Sequence, residues 1–145
     1  MVERVFQRAV AGVGLAAVVE VESAGTGPWH VGEPADRRAM AVLKRHGYPH
    51  QPHRARQFRP SWFGSFDLIL ALDAGHLHEL RQMAPDDDAA ARVKLLRSFD
   101  PGARGRLDVP DPYYGGGAAF ERCLAMMEAA APGLLEEVRR QVAVR

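Results

Sequence analysis

Apolar positions in the first third of the chain predict a helix, a strand and a second helix. Helical spacing runs from Val2 to Val13 and ends at a glycine, which is typical of an amphipathic helix. Valines interleaved with glutamates from Val18 to Val21 favour a short strand. Asp36 can cap a second helix, which is expected to end at Gly47.

The middle of the chain continues this alternation. A near-continuous apolar run from Asp67 to Leu72 is typical of a strand that is covered on both faces, and Val93 to Leu96 is a second run of this kind. Between them a helix is predicted from Ala74 to Met83. Asp86 to Asp88 interrupt the pattern and can begin a further short turn of helix.

The C-terminal part of the chain predicts two helices separated by a proline. Apolar residues at positions 120, 123, 124 and 127 have helical spacing. A second run with the same spacing follows from residue 134 to residue 142. Pro132 lies between the two runs and is expected to break the helix, because proline lacks an amide hydrogen.

Strands that alternate with helices predict a parallel sheet. The fold class predicted for residues 1–145 is therefore a single α/β domain, with the sheet flanked by helices on both faces. In such sheets ligands bind beyond the carboxyl ends of the strands. The loop carrying Trp29, the turn at Asp73 and the loop carrying Asp111 should therefore converge on one edge of the sheet.

Composition excludes several functional classes. The formal net charge of +1 indicates neither a nucleic-acid-binding surface nor a polybasic membrane patch. No apolar run approaches the roughly 20 residues of a membrane span. Cys123 is the single cysteine, which excludes an internal disulfide and favours a reducing compartment. We therefore expect a cytoplasmic protein with no nucleic-acid or membrane partner.

The most distinctive chemistry lies in the loop from Asp108 to Gly116. Pro112 fixes its own φ and restricts Asp111, so the carboxylate is held at a loop tip. Tyr113 and Tyr114 add flat apolar faces with a polar end. This arrangement suits a general acid beside an aromatic cleft. The alternative is an ordinary surface turn, since proline, aspartate and glycine are common in turns.

The run Asp-Pro-Tyr-Tyr-Gly at residues 111–115 resembles the acid-loop motif of the low-molecular-weight protein-tyrosine phosphatases. Other stretches resemble the same family in the same order, and they are Ser23–Thr26, Trp29–His30, Arg45–Gly47, Ala55–Gln57, Leu72–Asp73 and Ser98–Pro101. The resemblance implies hydrolysis of phosphotyrosine esters through a cysteinyl-phosphate, without a cofactor. It also implies that the substrate is a phosphotyrosine protein or a small aryl phosphate.

The resemblance assigns roles to residues of the loop and its surroundings. Asp111 would protonate the leaving tyrosine oxygen and then activate water. Four residues would wall the substrate cleft, and they are Trp29, His30, Tyr113 and Tyr114. His53 and Asp73 would support the phosphate-binding loop from beneath. The alternative for this pair is two buried polar groups that serve packing alone.

The resemblance also exposes a gap. In the family a Cys-x5-Arg loop follows the first strand and ends in Arg-Ser-Pro, commonly followed by Met-x-Glu, whereas this sequence starts Met1-Val2-Glu3. The residue six positions beyond Cys123 is Ala129, so no Cys-x5-Arg is present, and we expect Cys123 to be a buried core residue. The chain is predicted to be truncated, without nucleophile or phosphate-binding arginine, and inactive as written. The alternative is a non-catalytic phosphotyrosine-binding protein.

The same gap has a consequence for folding. By resemblance, the absent strand is central and lies between Val18–Val21 and Leu68–Leu72. Its two neighbours would then lose backbone partners, and each unsatisfied buried group costs about 1–3 kcal/mol. We expect the chain to be marginally stable with the flanking strands closed together, or to use another chain to fill the gap. Exposed strand edges also predict self-association.

Two groups of histidines raise the alternative of a metal site. His50 and His53 form one group, and His76 and His78, near the aspartates at 86–88, form the other. Neither group has the ligand spacing of a zinc site. No metal is therefore predicted.

Arsenate reductases share the fold by resemblance, but the Asp-Pro-Tyr-Tyr motif favours the phosphatase branch.

Overall fold

The computed structural model describes residues 1–27, 31–49, 51–113 and 115–144. Its helices are α1 (Val2–Gly12), α2 (Arg37–Arg45), α3 (Ala74–Met83), α4 (Asp87–Ala91) and α5 (Gly116–Ala143). Its strands are β1 (Ile69–Ala71) and β2 (Val93–Leu95), which pair in parallel. Short 3₁₀ turns lie at Pro60–Ser65 and Leu96–Phe99. The predicted α/β class with a parallel sheet and helices is confirmed.

Strand β1 is covered on both faces, as its apolar run predicts. Ile69 and Ala71 point into one hydrophobic cluster, together with Leu80 of α3. Leu68 and Leu70 pack against the other cluster, which is built mainly from α1, α2 and α5. Alternate residues of a strand point to opposite faces, so a strand between two apolar layers must be apolar throughout.

Three aspartates set the beginnings of helices through local hydrogen bonds. Each side chain accepts a backbone N–H of the first helical turn at 2.8 Å, and the three are Asp36 at α2, Asp73 at α3 and Asp86 at α4. These bonds satisfy amides that have no partner inside the helix. At the other end of α2, Gly47 has φ +83°, which favours glycine. The predicted starts of these helices are therefore confirmed.

The predicted break at Pro132 is wrong. Residues Gly116–Ala143 form one helix of 28 residues with Pro132 inside it. The proline costs one helical hydrogen bond. However, Ala130, two positions before it, and Leu134, two positions after it, are both buried in the main core. Packing on both sides of the proline thus keeps the two halves in one helix.

The predicted strand at Val18–Val21 is also absent from this structure. The amides of Val18 and Val19 both donate to the carbonyl of Leu15, which makes a turn, and the following residues lie outside any ladder. Within the described residues the sheet contains only β1 and β2. A strand requires a hydrogen-bonded neighbour, and no described segment occupies the pairing position beside Val21.

An ion-pair cluster joins the end of α2 to α5. Glu121 accepts from Arg45 Nη2 at 2.7 Å and lies 2.5 Å from His46 Nε2. The hydrogen bonds from Arg45, and then those from His46, lower the pKa of Glu121 below its ordinary value of 4.5. A lowered pKa in the folded state means that the carboxylate stabilises the fold above about pH 4.5. That contribution is lost as the pH falls through the lowered pKa.

The first testable prediction follows from this cluster. Glu121→Gln is expected to lower the melting temperature at pH 6, and the difference from the parent chain should shrink towards pH 3. Thermal unfolding across this range measures the effect. Glu136→Gln is the matched control, because Glu136 is an exposed glutamate on the same helix. Equal effects of both substitutions at every pH would contradict a specific role for Glu121.

Candidate active site

The acid loop is tied to the carboxyl end of β1. The amide of Val109 donates to the carbonyl of Leu72 at 2.7 Å. Asp108 Oδ1 accepts the amide of Ala74 at 2.9 Å, in the first turn of α3. The turn at Asp73 and the loop that carries Asp111 therefore lie together, as the order of strands and helices predicts.

Asp111 lies at the exposed tip of this loop. Its Oδ1 accepts the amide of Tyr113 at 3.0 Å, which closes a tight turn around Pro112. The bond orients the carboxylate with respect to its own loop. Because the side chain is exposed, a molecule arriving from solvent can reach it directly.

Arg38 holds the acid loop from α2. Its Nη1 donates to the carbonyl of Tyr113 at 2.7 Å, and its guanidinium lies 5.3 Å from the centre of the Tyr113 ring. The same group lies 4.9 Å from the centre of the Phe120 ring. Asp36 fixes the guanidinium by hydrogen bonds to Nε and Nη2, and the bond from Arg38 is the main reason that the pKa of Asp36 is lowered.

Sequence reasoning missed Arg38. The pair Asp36-x-Arg38 at a helix start is visible in the sequence, but it signals only a cap with a charged neighbour. The contact with Tyr113 spans 75 positions along the chain. No local pattern reports a contact at that separation.

The second prediction concerns this contact. Arg38→Ala is expected to speed amide hydrogen exchange at Tyr113, because the carbonyl contact and both ring contacts are removed. Exchange measured by mass spectrometry over residues 109–115 tests it. Arg37→Ala, an exposed arginine on the same helix, is the control and should leave this segment unchanged. Unchanged exchange in Arg38→Ala would show that the loop does not depend on the contact.

Cys123 lies behind the acid loop and is buried, as predicted. Its side chain is 2% exposed and its Sγ donates to the carbonyl of Pro110 at 3.2 Å. Burial raises the pKa of the thiol, and Asp111 adds to this rise while Arg122 opposes it. A neutral buried thiol is a poor nucleophile. Cys123 therefore contributes to the packing of the hydrophobic core.

The predicted supporting residues have separate partners. His53 Nδ1 lies 3.7 Å from Glu3 Oε2, and Ser23 Oγ donates to the other oxygen of Glu3 at 3.1 Å. Asp73 caps α3 and lies 3.3 Å from His76 Nδ1. No hydrogen bond or ion pair joins His53 to Asp73 in the part of the chain that the structure describes. Their role beneath a phosphate-binding loop stays a prediction.

The aromatic walls are only partly described. Trp29, His30 and Tyr114 lie outside the described residues, and so does His50 of the first histidine group. Tyr113 is 52% exposed and stacks on Arg38 beside Asp111.

Among the residues of known placement, no group of three His, Cys, Asp or Glu side chains could hold a metal ion. Likewise, none of the described helices combines the length and apolarity that crossing a membrane requires.

Comparisons with known proteins assign the family. A family model described as low molecular weight phosphotyrosine protein phosphatase matches residues 1–144. The low molecular weight protein-tyrosine-phosphatase of Streptomyces coelicolor is 59% identical over 143 residues, which cover 98% of this chain and 87% of the relative. The human low molecular weight phosphotyrosine protein phosphatase is 34% identical over 137 residues, covering 88% of this chain and 85% of the relative.

Solved structures agree with the sequence relatives. A protein tyrosine phosphatase from Entamoeba histolytica superimposes with a TM-score of 0.90 at 29% identity, over 97% of this chain and 88% of its own. YfkJ from Bacillus subtilis gives 0.87 at 30% identity, over 97% and 86%. The fold thus defines a phosphatase-type α/β protein. The chain belongs to the low molecular weight phosphotyrosine protein phosphatase family.

Proposed function

We propose that this domain serves the hydrolysis of phosphotyrosine esters, with Asp111 as the general acid. The observation that carries the proposal is the anchored loop, in which Asp111 is exposed and its neighbour Tyr113 is held by Arg38. A general acid must be fixed within reach of the leaving oxygen. Family membership favours this enzymatic role over a non-catalytic phosphotyrosine-binding protein.

The proposed chemistry has two steps. A cysteine thiolate attacks phosphorus, so that the S–P bond forms and the bond to the aryl oxygen breaks, while the carboxyl of Asp111 gives its proton to that oxygen. Water then attacks phosphorus, the S–P bond breaks, and the carboxylate of Asp111 takes the proton from water. The thiolate must come from outside residues 1–145, because Cys123 is the only cysteine and is buried.

The proposed substrate is a phosphotyrosine protein or a small aryl phosphate. Tyr113 offers a half-exposed ring next to Asp111, on which an aromatic leaving group can stack. Trp29, His30 and Tyr114 complete the cleft in this proposal. No cofactor takes part in either step. A cytoplasmic location accompanies the proposal, supported by the single cysteine.

The third prediction is that the 145-residue chain does not hydrolyse aryl phosphates. Purified chain and its Asp111→Asn variant are expected to release para-nitrophenol from para-nitrophenyl phosphate at the same background rate. The reason is that Asp111 can only protonate the leaving oxygen. Without a nucleophile and a phosphate-binding loop, no group of the chain attacks the phosphorus atom. Turnover that depends on Asp111 in the unextended chain would contradict this prediction.

A further inference from the structure

Two arginines from distant elements bind backbone carbonyls on either side of Asp111 in the acid loop. Arg97, in the 3₁₀ turn that follows β2, donates from Nη1 to the carbonyl of Asp108 at 3.2 Å. Arg38 of α2 donates from Nη1 to the carbonyl of Tyr113 at 2.7 Å. We call these two contacts, made by Arg38 and Arg97, the arginine clamp.

The segment between the two carbonyls, residues 109–112, has little internal freedom. Pro110 and Pro112 fix their own φ angles, and each restricts the residue that precedes it. One of these preceding residues is Val109, which is buried, and the other is Asp111. A stiff segment held at both ends keeps its carboxylate in one place. A displacement of either end therefore moves Asp111 as well.

Arg97 makes few contacts that would stabilise the fold. Its side chain is 13% exposed, and its Nε is buried without a hydrogen-bond partner among the described residues. Its Nη2 lies 4.0 Å from Asp100 Oδ2, which is long for an ion pair. A buried charge that is paired so loosely adds little stability. The hydrogen bond to Asp108 is therefore the contact that an apolar side chain of similar length could not replace.

Arg38 reaches the carboxylate of Asp111 through a single residue. Asp36 accepts from Arg38 Nε at 3.2 Å and from Nη2 at 3.0 Å, so the guanidinium is fixed before it meets the loop. Tyr113, whose carbonyl accepts from Arg38, donates its own amide to Asp111 Oδ1 at 3.0 Å. A planar guanidinium can make these contacts and stack on a ring at the same time, whereas an ammonium group cannot.

We propose that Arg38 and Arg97 are positioning residues, which act through the acid loop to place Asp111 for protonation of the leaving oxygen. This inference rests on the proposed function and adds to it the residues that set the geometry of the acid. Loss of either contact releases one end of the loop. The carboxyl group then lies within hydrogen-bond reach of the leaving oxygen for a smaller part of the time, which lowers the rate of the first step.

Arg92 is a matched control for Arg97. It is also partly buried, its Nε also lacks a partner among the described residues, and its Nη1 also donates to a backbone carbonyl at 3.2 Å. That carbonyl belongs to Phe66, which precedes β1, whereas the acid loop is tied to Leu72, which follows β1. Arg97→Met and Arg92→Met therefore remove equivalent contacts at opposite ends of the strand.

Hydrogen exchange tests the Arg97 contact in the 145-residue chain. Arg97→Met is expected to speed exchange at Val109 at least about threefold, because the loop end that holds this amide on Leu72 is released. Arg92→Met should leave exchange over residues 109–115 unchanged. Arg97→Lys keeps a charged donor and should restore part of the protection. Equal exchange in Arg97→Met and Arg92→Met would overturn the role of Arg97.

The dependence of rate on the leaving group tests positioning itself. The enzyme for this test is an extended chain, in which an apolar strand and a Cys-x5-Arg loop precede Met1. Phenolate is a poorer leaving group than para-nitrophenolate and depends more on the proton from the acid. Arg38→Met and Arg97→Met are each expected to lower kcat for phenyl phosphate about tenfold and kcat for para-nitrophenyl phosphate less, with KM unchanged. Arg92→Met should change neither kcat.

Asp111→Asn separates this inference from the proposed function. In that background the substitutions of Arg38 and Arg97 should have no further effect on kcat, because the acid that they position is gone. If Asp111→Asn lowers kcat for both esters equally or not at all, the proposed function fails. If Asp111→Asn affects phenyl phosphate more but the arginine variants do not, Asp111 remains the acid and the positioning role of the arginine clamp is overturned.

Discussion

Placing a strand and a Cys-x5-Arg loop ahead of Met1 is expected to give the chain aryl phosphatase activity. The added segment would consist of about five apolar residues followed by the loop, ending in Arg-Ser-Pro, with para-nitrophenyl phosphate as substrate. Loss of a catalytic nucleophile can cost on the order of 10⁶ in rate, so restoring one should raise turnover by a comparable factor. This is the largest effect expected for the protein.

The same extended chain tests the role of Asp111. Asp111→Asn is expected to lower kcat by about 10² to 10⁴, because an amide cannot give a proton to the leaving oxygen. The acidic group should also disappear from the pH profile of kcat. Asp88→Asn, at an exposed aspartate of α4, is the control and should leave kcat unchanged. If the extended chain is active and its Asp111→Asn variant keeps full kcat, Asp111 is not the general acid. The family assignment would not be affected by that result.

Gly133→Ala is expected to destabilise the fold severely. A Cβ at this position would lie 2.2 Å from the carbonyl oxygen of Phe99 and 3.1 Å from its carbonyl carbon. Both atoms belong to the backbone and cannot rotate away, so either α5 or the turn at Leu96–Phe99 has to shift. Overpacking of this kind costs about 3 kcal/mol, which is a large part of the roughly 5–15 kcal/mol that stabilises a domain.

The control for this substitution lies in the same helix. Gly117→Ala meets no atom within 4 Å of its added Cβ, and alanine favours helix over glycine. Its free energy of unfolding in urea should therefore be unchanged or slightly higher than that of the parent chain. If both substitutions had the same small effect, the close approach of α5 to Phe99 would not exist in solution.

Elements defined by local interactions could be predicted from the sequence. Asp73 caps α3 through an amide three residues away, and the predicted range Ala74–Met83 is the observed one. The strand at 69–71 follows from a continuous apolar run, because a strand buried on both faces leaves no position for a polar residue. The strand at 93–95 has buried Val93 at its start, while Lys94 in its middle is exposed. Asp111 could be singled out as a candidate acid because it begins the motif Asp-Pro-Tyr-Tyr-Gly, which is recognisable from five neighbouring positions.

Elements that depend on distant partners could not be predicted in this way. Pro132 predicts a break, but packing of buried residues before and after it keeps α5 continuous. Val18–Val21 has the pattern of a strand, yet a strand exists only where a neighbour accepts its hydrogen bonds. Arg38 was missed because its contact with Tyr113 joins α2 to the acid loop.

The sequence by itself determined the α/β class and the family, and it singled out Asp111 as the proposed acid. These depend on periodicity, capping and a short motif, all of which act over a few residues. Only the tertiary structure decided that Arg38 holds the acid loop and that His53 faces Glu3. The physical reason is that each of these features is a contact between segments far apart in the chain, and such contacts exist only after the chain has folded.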